Sequence, residues 1–196
     1  MILVTGFEAF AEHAANPTSW LIGRLAGTPG IAAAVLPVTW EGSVARLAEL
    51  VELHRPRAVV SFGLSFSTDR IAVERVALNL DESDRPDNSG EFRRGRMIAP
   101  EAPAALWSTL PVEAIVDSLA AAELPAGASA HAGTYVCNHL FFSARRRWPD
   151  LPVGFVHVPP FPDAVAGLPG RAGLDAAALE RGARLVVAVV RDAVSG

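Results

Sequence analysis

The sequence predicts an α/β fold, a single-domain three-layer α/β/α sandwich around a largely parallel (mixed) twisted sheet spanning residues 1–196. Three observations carry that expectation. Short β-branched runs alternate with stretches of helical period along the chain. Runs such as Ala58-Val59-Val60-Ser61-Phe62 are apolar without alternation, as strands covered on both faces are. The chain has 196 residues, of which 51% are hydrophobic and 19% charged. A chain of that size buries roughly 70% of its extended-chain surface and needs no disulfide or metal to fold.

The elements follow in order. Ile2 to Thr5 reads as a strand that ends in the loop Gly6-Phe7-Glu8-Ala9-Phe10. Asn16 before Pro17 is a helix start, Asn capping and Pro in the first turn. Val35 to Val38 reads as a second strand. Val44, Leu47, Ala48 and Val51 then recur at helical spacing, closed by Pro56. After the strand at Ala58 comes another, Ile71 to Leu80, with Ala72, Glu74, Val76 and Leu78 on one face. Asp81 to Arg96 is polar and turn-rich and is expected as an exposed excursion. Thr109 is placed to cap a helix opened by Pro111 with the stripe Val112, Ile115, Val116 and Leu119. Ala128 to Ala132 looks strand-like, and a helix begins near Thr134 and ends by Pro149. Val153 to Val158 is the next strand, followed by a proline-rich loop from Pro159 to Pro169. Asp175 caps the last helix, whose face is Leu179, Leu185, Val186, Val189 and Val190.

Composition removes whole classes of function. A net charge of −4 gives no general pull toward nucleic acid or an anionic membrane surface. All seventeen cationic side chains are Arg, which excludes Schiff-base lysines, a P-loop lysine and a Ser-Lys dyad. A single Cys excludes an intrachain disulfide and any Cys-rich zinc or iron–sulfur site. Met1 leads straight into Ile2 with no basic leader. No apolar run approaches the roughly 20 residues that span a bilayer, so a cytoplasmic location is expected.

Three residues stand out for chemistry, each with a plain alternative. Cys137 lies in Ala132-Gly133-Thr134-Tyr135-Val136-Cys137-Asn138-His139, where a strand gives way to a helix. A free Cys is often a small buried hydrophobe. In a first helical turn, though, unpaired N–H groups and the helix dipole favour a thiolate and can hold an oxyanion. His157, at the end of an apolar strand, is either satisfied by a neighbouring backbone group or a base. Glu74 interrupts an apolar face, where it either pairs with Arg75 or orients a catalytic histidine. Of the other histidines, His13 and His54 read as solvated. His139 falls on another side of the helix from Cys137, and His131 reads as structural, with lining of the site as its alternative. The run Arg145-Arg146-Arg147 complements a helix C-terminus rather than marking a nucleic-acid patch.

At these residues the sequence resembles the pyroglutamyl-peptidase I family (pyrrolidone-carboxylate peptidases), cysteine peptidases that remove an N-terminal pyroglutamyl residue. The segments that carry the resemblance are Val4-Thr5-Gly6-Phe7-Glu8 with Asn16-Pro17, Glu74-Arg75-Val76-Ala77-Leu78-Asn79, Pro86-Asp87-Asn88 and Ser108-Thr109-Leu110-Pro111. The nucleophile motif around Cys137 and the segment Gly154-Phe155-Val156-His157-Val158-Pro159 complete the set. The resemblance implies Cys137 as nucleophile, His157 as general base and Glu74 as its orienting partner. It also implies a substrate slot built from Phe7, Phe10, Asn16, Tyr135 and Val136, no metal or cofactor, a small pyroglutamyl peptide or amide as substrate, and a homo-oligomer (dimer or tetramer). The chain departs from the family at Ala9, Ala11 and Glu12, at Ser65-Phe66-Ser67-Thr68, and at Glu82-Ser83-Asp84-Arg85, where an acid stands in place of a site arginine. Those departures keep two other readings open. One is a relative acting on another acyl amide, imide or lactam; the other is a binding protein without chemistry.

Overall fold

The structure, a computed structural model, describes residues 1–10, 16–166 and 173–195. Its strands are β1 (Ile2–Phe7), β2 (Ile31–Leu36), β3 (Ala58–Leu64), β4 (Ile71–Glu74), β5 (Val76–Leu78), β6 (Ala105–Trp107), β7 (Ala126–Ser129) and β8 (Val153–Val158). The helices are α1 (Pro17–Leu25), α2 (Trp40–His54), α3 (Val112–Ala121), α4 (Val136–Arg147) and α5 (Ala176–Ala193). Six strands form one sheet in the order β2-β1-β3-β8-β4-β7, and β5 pairs with β6 apart from it. Every neighbouring pair in the large sheet is parallel except β4 with β8. The mixed, mainly parallel sheet is the one expected.

Two apolar layers sandwich it. On one face Ile2, Val4, Val60 and Val156 pack against Leu21 of α1, Ile115 of α3 and Val186 of α5. On the other, Leu3, Val59, Val153 and Phe155 pack against Leu47 of α2 and Phe141 and Phe142 of α4. This is why β1, β3 and β8, buried at every position, carry no polar alternation.

Both expected side-chain caps on α1 and α5 form: Asn16 Oδ1 accepts from Thr18 N–H at 3.0 Å, and Asp175 Oδ1 from Ala178 N–H at 2.8 Å. Thr109 does not cap α3. Its hydroxyl accepts from Val153 N–H at 2.9 Å, tying the segment to β8, and Pro111 occupies the cap position. The second strand is Ile31–Leu36 rather than Val35 to Val38, because its register is set by β1 through Ile2↔Ile31. The seventh is Ala126–Ser129 rather than Ala128 to Ala132. The long strand expected from Ile71 to Leu80 is broken at Arg75. There the Arg75 N–H donates to Ser129 O while its carbonyl accepts from Ser108 N–H, so the chain leaves one sheet for the other. His13 and the end of the loop reaching Pro169 lie outside the described residues.

The segment 81–96 is not a free excursion. Asp81 and Arg93 are buried, and Arg93 donates to Asp81 at 2.8 Å, to Glu41 at 2.9 Å and to Glu91 at 2.7 Å. Burial opposes the guanidinium charge, but Glu91, Asp81 and Glu41 outweigh it and hold Arg93 above its ordinary pKa. The Asp81 carboxylate also meets His139 Nδ1 at 2.9 Å, and Trp40 packs edge-on against the His139 ring. The polar residues of this segment therefore satisfy one another beneath its surface and clamp it to α2 and α4. Asp81→Ala removes one partner of a buried pair and is expected to cost about 3 kcal/mol, read as a lower urea midpoint.

Candidate active site

Site residues converge at the carboxyl ends of the parallel strands, where open α/β sheets hold ligands. Cys137 is the second residue of α4, whose cap position, Tyr135, makes no side-chain cap bond. The first hydrogen bond closing that helix runs from His139 N–H to Tyr135 O, so the Val136, Cys137 and Asn138 N–H groups have no partner inside the helix. Asn138 fixes the helix from below: its Nδ2 donates to Leu78 O and Leu80 O, and its Oδ1 accepts from Leu78 N–H at 2.8 Å.

His157 lies one residue from the end of β8, on the face toward α4. Glu74 closes β4 on the same face, diagonal to His157 because Ala72 is the direct register partner. The ring Nδ1 of His157 meets Glu74 Oε1 at 2.7 Å, and a second hydrogen bond joins the ring to the Cys137 side chain. Glu74 is only 2% exposed and His157 8%. Arg75, the alternative partner for Glu74, turns outward to Glu113 at 2.7 Å. Burial alone would lower the His157 pKa. Hydrogen bonds and charge attraction from Cys137 and Glu74 reverse that and raise it from 6.5 to about 10. The second carboxylate oxygen, Glu74 Oε2, is buried without a protein partner.

A glycine makes this geometry possible. Gly63 on β3 is the register partner of His157, and a Cβ built on it would lie 2.7 Å from the Phe155 ring and 2.9 Å from Cys137 Sγ. The ring of Phe155 in turn packs on that of His157, centroids 4.9 Å apart. Gly63→Ala is therefore expected to displace the sulfur and lower kcat about 100-fold. Phe155→Leu added to it relieves the ring clash but not the sulfur clash, so the double variant is expected to recover thermal stability without recovering kcat.

Two cavities meet at Cys137. The smaller is an apolar slot walled by Phe7, Phe10, Val38, Leu64, Tyr135 and Val136, with Asn16 at its edge. Asn16 Nδ2 donates to Glu8 O at 3.0 Å and thereby fixes the loop after β1. Tyr135 donates its hydroxyl to Pro86 O at 2.8 Å, and Trp40 packs edge-on against its ring at 5.2 Å. Burial, with the charges of Asp87 and Cys137, raises the Tyr135 pKa to about 12, so the phenol remains a donor. The larger cavity is an open groove of about 810 Å³ on the other side of the sulfur. Glu74, His157 and Ala72 border it, with Ser67, Arg70 and Ser129 farther out.

All eight residues singled out for catalysis or substrate contact thus border at least one of the two cavities, and Phe10, Tyr135 and Cys137 border both. Glu82 to Arg85 and Ser65 to Thr68 line the groove, and none of them lines the slot. His131 is exposed on the groove wall, where its Nδ1 accepts from Gly133 N–H. His139, as expected, points away from the sulfur. The sequence reading did not single out Gly63, Val38, Leu64, Asn138 or Arg70. A glycine near the carboxyl end of a largely apolar strand was the one available signal. Among the described residues no group of three or more His, Cys, Asp or Glu is placed to hold a metal ion.

Comparison with known proteins gives the same picture. The chain is 42% identical to the pyrrolidone-carboxylate peptidase of Gloeobacter violaceus, over 97% of this chain and 96% of that one. It is 36% identical to the enzyme of that name from Cupriavidus taiwanensis, over 95% and 91%. The crystal structure of Bacillus amyloliquefaciens pyroglutamyl peptidase I superposes with a TM-score of 0.93 at 30% identity, over 97% of this chain and 96% of the other. The pyrrolidone carboxyl peptidase of Thermococcus litoralis does so at 0.92 and 33%, over 97% and 93%. A sequence profile of the pyroglutamyl peptidases matches residues 1–194. With sheet order, helix placement and whole-length similarity in agreement, this chain belongs to the pyroglutamyl peptidase family of cysteine peptidases.

Proposed function

We propose that Cys137, His157 and Glu74 carry out the family's reaction in this chain, cleaving the amide that follows an N-terminal pyroglutamyl (5-oxoprolyl) residue of a peptide. The observation that carries this reading is the continuous hydrogen-bonded line from the Glu74 carboxylate through the buried imidazole to a sulfur at a helix start.

The chemistry follows from the charges. The thiolate of Cys137 attacks the pyroglutamyl α-carbonyl carbon, and the N–H groups at the start of α4 receive the resulting oxyanion. The protonated His157 ring gives its proton to the departing amine as the C–N bond breaks, leaving a thioester and a neutral imidazole. Water then attacks the thioester carbon while His157 takes its proton. Release of pyroglutamate restores the thiolate and the imidazolium. Glu74 keeps the ring in one orientation and stabilises its charged form through both halves of the cycle.

The slot suits a neutral five-membered lactam, which offers a flat ring and a single amide edge. The substrate is a small peptide or amide. The chain acts as a single domain over residues 1–196, in the cytoplasm and as a homo-oligomer.

Steady-state release of a chromophore from a pyroglutamyl amide tests the reading. Hydrolysis that the corresponding prolyl amide does not share is expected; equal hydrolysis of both would contradict the lactam slot. The imidazole makes a separate prediction. A pKa raised from 6.5 to about 10 means that His157 stabilises the fold fully below pH 6.5 and that this contribution is lost as pH rises through about 10. Nitrogen NMR of labelled protein should find this ring still protonated at neutral pH.

A further inference from the structure

We infer that Arg70 binds the C-terminal carboxylate of the leaving peptide, so that the enzyme prefers short pyroglutamyl peptides with a free C-terminus. This inference rests on the peptidase reading above and extends it from the lactam to the other side of the scissile bond.

The argument is one of register. Four residues on adjacent strands form a row across the sheet: Gly63 pairs with His157, His157 with Ala72, and Ala72 with Gly127. In this row the Cys137 sulfur stands over Gly63 at one end. At the other end the Arg70 side chain lies flat over Gly127, its Nε and Cζ 3.2 and 3.3 Å from where a Cβ would stand. Between them the groove floor is the methyl of Ala72 and the ring of His157. The α4 helix covers β8 on this face, and α3 and α5 lie on the opposite face, which leaves β4 and β7 open to the groove.

The slot takes the lactam on one side of the sulfur, and His157 borders only the groove. The amine that His157 protonates therefore departs into the groove and carries the rest of the peptide with it. Adjacent strands are about 4.8 Å apart, so the row from Gly63 to Gly127 spans about 14 Å. An extended chain covers about 3.5 Å per residue, so about three residues beyond the pyroglutamyl group bring a terminal carboxylate within hydrogen-bond reach of the guanidinium.

Arg70 is equipped for that contact. Among the described residues its guanidinium makes no ion pair and no hydrogen bond, whereas the groove's other arginine, Arg85, is held by Asp84 at 3.5 Å. Thr68 sets the Arg70 backbone by donating its hydroxyl to Arg70 O and accepting from Arg70 N–H. The hydroxyls of Ser67 and Ser129 border the same groove, that of Ser129 lying 3.4 Å from His131 O. A planar guanidinium with hydroxyl neighbours matches a carboxylate in two-point geometry, whereas a carboxamide brings no charge to it.

The test compares pyroglutamyl-Ala-Ala-Ala with a free carboxylate against the same peptide as its C-terminal amide, at low and at high salt. The native enzyme should favour the acid about fivefold in kcat/KM, mostly through KM, and the preference should shrink with salt, as an exposed ion pair does. Pyroglutamyl-Ala, too short to reach, should show a smaller advantage over its amide. Arg70→Gln should bring the acid-to-amide ratio close to one, and Arg70→Lys should keep part of it. Equal kcat/KM for the acid and amide tetrapeptides in the native enzyme, or a preference that survives Arg70→Gln, would overturn the inference while leaving the peptidase reading intact. No hydrolysis of any pyroglutamyl substrate would overturn both.

Discussion

Replacing Cys137 by Ala is expected to reduce pyroglutamyl amide hydrolysis at least 10⁴-fold, to the limit of detection, without unfolding the chain. The size of the effect follows from what the sulfur alone supplies. The other groups at the site orient, donate or accept protons, but none can form the acyl-enzyme: His157 is held by Glu74, and the slot is apolar. Cys137 is half-buried at the start of α4, with space on both sides, so removing its sulfur leaves no sealed core void of the kind that large-to-small substitutions create. Thermal midpoint and substrate turnover should therefore part company. A variant that retains the midpoint and also retains turnover would show that the nucleophile lies elsewhere.

Glu74→Gln is the second large effect, about 10³- to 10⁴-fold in kcat. The carboxylate accepts from His157 Nδ1 at 2.7 Å and is one of the two groups that keep the buried imidazole charged. A carboxamide has nearly the same shape but no charge. It offers either an oxygen, which still accepts from Nδ1 more weakly, or an NH₂, which forces the opposite tautomer and turns the ring's proton away from its task. In both cases burial is left opposed chiefly by Cys137, and the His157 pKa falls from its raised position. The proton needed by the leaving amine is then scarce at neutral pH. The effect should fall on kcat, because Glu74 is buried behind the imidazole and the slot lies on the far side of the sulfur. A predominantly raised KM would mean that Glu74 shapes the pocket instead. The thermal midpoint is expected to fall as well, because the charged hydrogen bond to His157 is lost and an NH₂ in the Oε2 position finds no acceptor among the described residues.

The elements legible in the sequence were those whose residue pattern has one physical meaning. Strands β3 and β8 are apolar at successive positions because both faces are covered, and α1 and α5 announce themselves through Asn16-Pro17 and Asp175. The second strand was placed too late because Ala32, Ala33 and Ala34 have little β-propensity of their own and are held by pairing with β1. The break at Arg75 was hidden because Glu74, Val76 and Leu78 keep an unbroken period of two, while the cause is a pair of backbone hydrogen bonds to Ser129 and Ser108. The segment from Asp81 to Arg96 read as solvated because polarity alone does not distinguish groups that face water from groups that neutralise one another, as Asp81, Arg93 and Glu41 do.

At the site, residue type and position on an element singled out Cys137, His157 and Glu74, but only tertiary geometry brings them together. Spacings of 83 residues between Glu74 and His157 carry no distance information. The room for the sulfur, granted by the missing side chain of Gly63, and the open floor from Ala72 to Gly127 depend on register between strands far apart in sequence. Nor could the sequence separate the two cavities. The substituted stretches around Ser65 and Asp84 border the open groove, whereas the slot walls retain the expected aromatic and aliphatic residues.

The central claim is that the pyroglutamyl group passes through a thioester on Cys137. Acid quenching during the first turnover of a pyroglutamyl ester or amide, followed by mass spectrometry of the proteolytic fragments, tests it most directly. The fragment that contains Cys137 should carry one added pyroglutamyl acyl group, absent after Cys137→Ala. Sustained hydrolysis with that fragment unmodified throughout, or with the acyl group on another residue, would contradict the account.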